Sequence, residues 1–140
     1  MAFVNDETVD KHRVWNFKYG TYRIEGISFK GFKYSDGSVL QVQYTTNVTC
    51  KDCVFEDCLG TKNGGAVYFS ALTSTGSVFE NCSFVNNSTD GATDGGGYGG
   101  AVGAFGTYGG TIGLVTFKNC LFKGNNAKNA GGAVASRITS

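Results

Sequence analysis

The chain has 140 residues, a net charge of +1 from 12 Lys and Arg against 11 Asp and Glu, 22 glycines and no proline. That length suits one domain with its own core. The charge balance gives no basis for nucleic acid or an anionic membrane as a partner, and no apolar run is long enough for a membrane span.

Residues 1–26 stand apart from the rest of the chain. They hold its single Trp and single His, Trp15 and His12, with Phe17, Tyr19 and Tyr22 nearby. We read this segment as an N-terminal cap with a partial rung around Tyr22, Ile24 and Ile27, since a stacked fold needs its first layer shielded from water and edge pairing. His12 has no companions that suggest a triad and reads as a surface residue. No secretory leader follows Met1, so export implies a removed leader or a longer chain.

From residue 27 to 140 one phrase recurs. It reads CKDCVFEDCLGTKNGGAV from Cys50, FENCSFVNN with a later YGGAV from Phe79, and FKNCLFKGNNAKNAGGAV from Phe117; FKGFKYSDG from Phe29 reads as a degenerate first copy. Aligned, the first column holds Phe29, Cys50, Phe79 and Phe117, the second Phe32, Cys53, Cys82 and Cys120, and the third Tyr34, Phe55, Phe84 and Phe122. The second and third columns sit two residues apart with a variable residue between, and the flanks are polar, which is the pattern of a strand with one face inward.

First-column residues at 29, 50, 79 and 117 are spaced by 21, 29 and 38 residues. The longest excess falls around STDGATDGGGY, so it reads as a loop leaving through a turn while the core phrase stays in register. The pattern predicts an all-β right-handed parallel β-helix of about four to five rungs. A jelly roll or sandwich would use the Asn-Gly and Asp-Gly dipeptides as hairpin turns, but gives no reason for whole phrases to recur in columns. The chain stops six residues after the last GGAV, which leads to the expectation that it is a fragment or that its last rung is covered by another molecule.

Cys50, Cys53 and Cys58 have the spacing of half a zinc site. Column logic favours buried free thiols instead, because Cys53, Cys82 and Cys120 replace one another rung by rung. Disulfides between them are poorly aimed, since stacked side chains project in parallel. We expect no metal and no cofactor. Acidic candidates for polysaccharide chemistry are Glu56 and Asp57 with Glu80, or Asp90 and Asp94. They build no column: Glu56 aligns with Val85 and Lys123, and Glu80 with Lys51 and Lys118. GGGYGG from Gly95 lacks the lysine and helix of a phosphate loop. A non-enzymatic chain is the expectation, with a polysaccharide-active enzyme as the weaker alternative.

FxxN at Phe84–Asn87 and Phe122–Asn125, altered at Phe55–Cys58, is followed by GGAV at Gly64–Val67, Gly99–Val102 and Gly131–Val134. This ordered pairing resembles the repeat of chlamydial polymorphic outer membrane proteins and of adhesin-like surface proteins of methanogenic archaea. The resemblance spans about residues 27–136. It implies a cell-surface, extracellular β-helical passenger or stalk whose two motifs serve adhesion to a host-cell protein or glycan. Carried across, the binding candidates are Phe84, Asn87, Phe122, Asn125, Gly99 and Gly100. By residue chemistry alone, Phe84 and Phe122 should fill the interior and Asn87 and Asn125 should ladder at a turn. Tyr98, Phe105 and Tyr108 of the long loop are further contact candidates. The remaining alternative is a structural protein whose partners are copies of itself, stacked end to end into filaments.

Overall fold

A computed structural model of the chain describes residues 1–4, 13–44, 46–70, 76–92, 95–106 and 115–138. Two strands open the fold, β1 (Ala2–Val4) and β2 (Trp15–Phe17). The first full coil is β3 (Gly20–Glu25), β4 (Ser28–Lys30), β5 (Lys33–Tyr34) and β6 (Leu40–Gln43). The second is β7 (Thr46–Lys51), β8 (Val54–Glu56), β9 (Leu59–Gly60) and β10 (Val67–Ser70). The third is β11 (Ser77–Glu80), β12 (Ser83–Val85), β13 (Ser88–Thr89) and β14 (Val102–Gly106), and the fourth β15 (Val115–Lys118), β16 (Leu121–Lys123), β17 (Asn126–Ala127) and β18 (Val134–Ile138).

Every strand pairs in parallel with its counterpart one coil away, in four sheets ordered β1-β4-β8-β12-β16, β2-β6-β10-β14-β18, β3-β7-β11-β15 and β5-β9-β13-β17. The fold is the expected parallel β-solenoid, of about four turns, and the described residues contain no helix. Residues 1–26 supply β1, β2 and β3, which pair in register with β4, β6 and β7.

Three corners per coil turn on residues with left-handed backbone. Between the β3-type and β4-type strands these are Gly26, Asp52, Asn81 and Asn119, with φ of 66°, 53°, 52° and 50°. At the next corner they are Gly31, Asp57, Asn86 and Gly124, with φ of 75°, 54°, 54° and 65°. Only Gly, Asn and Asp occupy these eight places, the residues that enter this region at little cost. The third corner is stricter. Gly37, Gly64, Gly99 and Gly131 have φ of 57° to 70°, and a Cβ at Gly64 or Gly99 would overlap the carbonyl oxygen of Val67 or Val102.

The later copies keep the expected columns, since Cys50 pairs with Phe79, Phe79 with Phe117, Phe55 with Phe84, and Phe84 with Phe122. The first copy is corrected by five residues. Ile24, not Phe29, lies below Cys50, and Phe29 joins the third column below Phe55, while Tyr34 pairs with Gly60. The first repeat is therefore IEGISFKGF, and Gly37-Ser38-Val39-Leu40 stands in register where the later coils have GGAV. The slip has a physical origin: Phe29-Lys30-Gly31-Phe32 and Phe79-Glu80-Asn81-Cys82 both spell inward residue, outward residue, left-handed corner, inward residue.

Inside, the third column is a file of rings. Phe3, Phe29, Phe55, Phe84 and Phe122 stack with successive centroid separations of 5.9, 5.2, 4.8 and 4.9 Å. Edge contacts tie this file to the first column, Phe79 to Phe84 at 5.6 Å and Phe117 to Phe122 at 5.3 Å. Each such pair adds about 0.5–1.5 kcal/mol beyond area burial. At the N-terminal end Trp15 packs edge-on against Phe29 at 5.5 Å and Phe17 stacks on Tyr22 at 4.0 Å.

Candidate functional site

The motif residues belong to the coil's own scaffold. Phe84 and Asn87 are fully buried, and Phe122 and Asn125 are half-buried in the fourth coil. Asn87 donates from Nδ2 to Phe55 O at 2.9 Å and accepts the Cys58 N–H at Oδ1 at 3.0 Å. One coil on, Asn125 repeats both bonds with Phe84 O and the Asn87 N–H, and its Oδ1 also accepts from Asn87 Nδ2 at 3.1 Å. Truncating such an amide leaves buried backbone groups unsatisfied, at about 1–3 kcal/mol each. Gly99 and Gly100 are buried at the third corner.

The five cysteines are free thiols, all buried but Cys120, which is intermediate. Cys53, Cys82 and Cys120 follow a left-handed corner, and each donates to the carbonyl two residues back, those of Lys51, Glu80 and Lys118, at 3.2, 3.4 and 3.4 Å. Cys58 does the same with Glu56 O at 3.3 Å, and burial pushes its thiol up to about 11. Among the described residues, no three His, Cys, Asp or Glu side chains come together as a ligand set.

The acidic candidates lie apart. Glu56 and Asp57 reach Lys30 Nζ at 3.2 and 3.4 Å, Asp57 being itself a corner residue. Glu80 lies in register between Lys51 and Lys118, and below Lys51 comes Glu25, so this outer column alternates in sign as the alignment predicts. Asp90 accepts the Ala92 N–H at 2.9 Å. His12, Asp94 and Tyr108 lie outside the described residues.

Two of the sequence-predicted contact residues do converge. Tyr98 and Phe105 meet edge to face at 5.9 Å, and Phe105 lies 5.9 Å from Tyr68, a residue that the repeat phrase alone did not single out. The alternation after GGAV places it: Val67 points inward, so Tyr68 points out, and Ser70 and Phe105 follow by register. Directly above Tyr68 stands Gly103, and a methyl there would lie 3.2 Å from Phe105 Cε2 and 3.3 Å from Tyr68 Cδ2. The missing side chain lets the two rings close over the strand at Gly103, with small Ala135 next in the column.

Below these rings the same face carries Gln41 and Gln43 on β6, both half-exposed. Gln43 Nε2 lies 3.4 Å from Ser70 Oγ. The outward side chains described on β6, β10 and β14 are thus amide, hydroxyl and aromatic, and on β18 Arg137 pairs in register with Phe105. The β1 and β3 sheets carry their charges outward. At the third corner beside β6, Arg13 donates from its guanidinium to the backbone carbonyls of Asp36 and Gly37 and lies 4.3 Å over the Tyr34 ring. Asp36 accepts the Asn63 N–H at 3.0 Å, and burial raises its carboxyl above the usual range. Burial, with the nearby Asp36 charge, pushes the Tyr68 hydroxyl up to about 12, so it stays a donor at neutral pH. Comparison with protein-family models, curated proteins and solved structures gives no match.

Proposed function

We propose that this chain is a non-enzymatic, adhesin-like β-helix that acts at the cell surface by presenting binding groups on a rigid solenoid. The observation that carries this reading is the aromatic cluster of Tyr68, Tyr98 and Phe105 around Gly103 on the outer face of the β2 sheet. Rings in a core are explained by packing; half-exposed rings gathered on an otherwise polar outer face offer large, rigid contact area to a partner. FxxN and GGAV serve that function indirectly, by holding the coils in register.

The test is binding of the fluorescently labelled chain to cultured epithelial cells. Saturable binding is expected, weakened about tenfold in a Tyr98→Ala, Phe105→Ala double variant that melts as a folded protein. Undiminished binding by the folded double variant would remove the cluster from the account, and release of reducing ends from polysaccharides would favour the enzyme instead.

A further inference from the structure

Two of the described tyrosines are exposed. Tyr19 and Tyr44 are 64% and 41% exposed, whereas Tyr22, Tyr34, Tyr68 and Tyr98 are half-buried. The exposed two are also the two whose rings meet, stacked at 5.4 Å with 13° between their planes. Each half-buried tyrosine has a phenylalanine or Arg13 against its ring instead. We infer that Tyr19 and Tyr44 form an oxidative cross-linking site, at which a haem peroxidase with hydrogen peroxide joins the rings as dityrosine and staples one corner of the solenoid to the corner one coil away. This chemistry is independent of the adhesin-like reading.

The backbone brings the pair together. Phe17 pairs with Val42 and Gly20 with Thr46, so two residues turn this corner between β2 and β3 and three turn it between β6 and β7. Tyr44 lies within the longer turn, with a φ of 54°. Every other non-glycine residue described with positive φ is Asn or Asp, and a tyrosine enters that region at greater cost. Such strained positions gather where a side chain is aimed for function. Hydroxyls brace both turns: Tyr22 Oη donates to Tyr19 O at 2.8 Å, and Thr46 Oγ1 donates to Gln43 O at 2.7 Å. Tyr22 is itself stacked on Phe17 at 4.0 Å. The backbone is thus held while the two exposed phenol rings can turn about their side-chain bonds.

Two phenols so placed have one oxidative reaction open to them as a pair. The oxidised haem takes one electron from each, each phenol gives up its hydroxyl proton, and the peroxide is reduced to water. The two phenoxyl radicals couple through ring carbons ortho to oxygen, forming one C–C bond; those two carbons then lose their hydrogens and the two oxygens regain theirs. In sum, two tyrosines and one hydrogen peroxide give one dityrosine and two waters. Rings already in contact meet at an effective concentration far above that of tyrosines on separate chains, so coupling within the chain outruns coupling between chains. The bond ties coils that otherwise hold only their neighbours, at the end of the stack where a solenoid opens most readily.

The experiment treats the dilute intact chain with a haem peroxidase and hydrogen peroxide, then separates monomer from dimer. The monomer should gain dityrosine fluorescence, and peptide mapping should find Tyr19 and Tyr44 joined with the loss of two hydrogens. Tyr19→Phe and Tyr44→Phe, which keep the ring and should melt near the parent, should each lower that fluorescence at least about tenfold. Trp15, the single tryptophan, packs against Phe29 and reports on this end of the stack. Its urea transition should move to higher urea in the cross-linked monomer but not in the peroxidase-treated Tyr19→Phe chain. Undiminished fluorescence in either folded variant, a bond mapped to another tyrosine, or fluorescence confined to dimers would overturn the site. An unmoved Trp15 transition in the cross-linked monomer would overturn the staple.

Discussion

Asn87 and Cys58 occupy the same column in consecutive coils, at a position that faces inward just after a left-handed corner. It lies beside backbone groups that the neighbouring coil leaves to be satisfied. Asparagine meets the demand with donor and acceptor together; cysteine meets it with one S–H to Glu56 O and the bulk of a small hydrophobe. The thiol carries a pH penalty that the amide avoids. Burial lifts Cys58 from an ordinary value of 9.0 to about 11. Below about pH 9 both folded and unfolded chains keep the proton and its full contribution is present. Between about 9 and 11 the unfolded chain ionises first, so stability falls by roughly 2–3 kcal/mol, and above that range the slope ends. Urea midpoints of the parent and of Cys58→Ala should converge across that window; a constant difference from pH 8 to about 11.5 would contradict this. Cys50 and Cys82 shift the same way, first through hydrogen bonds to the Cys53 thiol and then through burial, which is why the difference between two chains isolates Cys58.

At the scale of the element, the strands are short and the corners carry the specification. Two corners accept Gly, Asn or Asp, but the third accepts glycine alone, because there both backbone conformation and a facing carbonyl exclude a Cβ. Gly99→Ala should therefore cost about 2–4 kcal/mol, whereas Asn81→Gly should stay within about 1 kcal/mol. Thermal melts decide it, and equal losses at the two sites would contradict the distinction. This hierarchy also explains what could be read from the chain. Columns at Cys53, Cys82 and Cys120 and at Phe55, Phe84 and Phe122 were legible because corner and strand repeat together. The first copy was misplaced by five residues because its two successive corners have the same pattern, Ile24-Glu25-Gly26-Ile27 and then Phe29-Lys30-Gly31-Phe32. Only pairing to the coil above distinguishes them. Tyr98 and Phe105 stood out through the long insertion, while Tyr68 looked like one more strand aromatic until the register set it beneath Gly103.

Across the whole molecule, three of the four sheets give outer faces of different chemistry. The β3 sheet presents Glu25, Lys51, Glu80 and Lys118 in alternating sign, and the β1 sheet pairs Lys30 with Glu56 and Asp57. Such exposed pairs add little stability but keep these faces solvated and dissuade close packing by other chains. The β2 sheet departs from this pattern with amides, a hydroxyl and rings on β6, β10 and β14, and with Arg137 in register with Phe105 on β18. A solenoid suits that division, because one face can change residue by residue while the interior file of phenylalanines holds the coils together. The most direct test of that division is chemical-shift mapping of the isotopically labelled chain as a surface extract of the epithelial cells it binds is added. We predict that the largest changes fall on the amides of Gln41, Gln43, Tyr68, Ser70, Gly103 and Phe105, with the charged columns unmoved. Largest changes at Lys51, Glu80 and Lys118, or saturating binding that leaves the β2 face unchanged, would contradict the account.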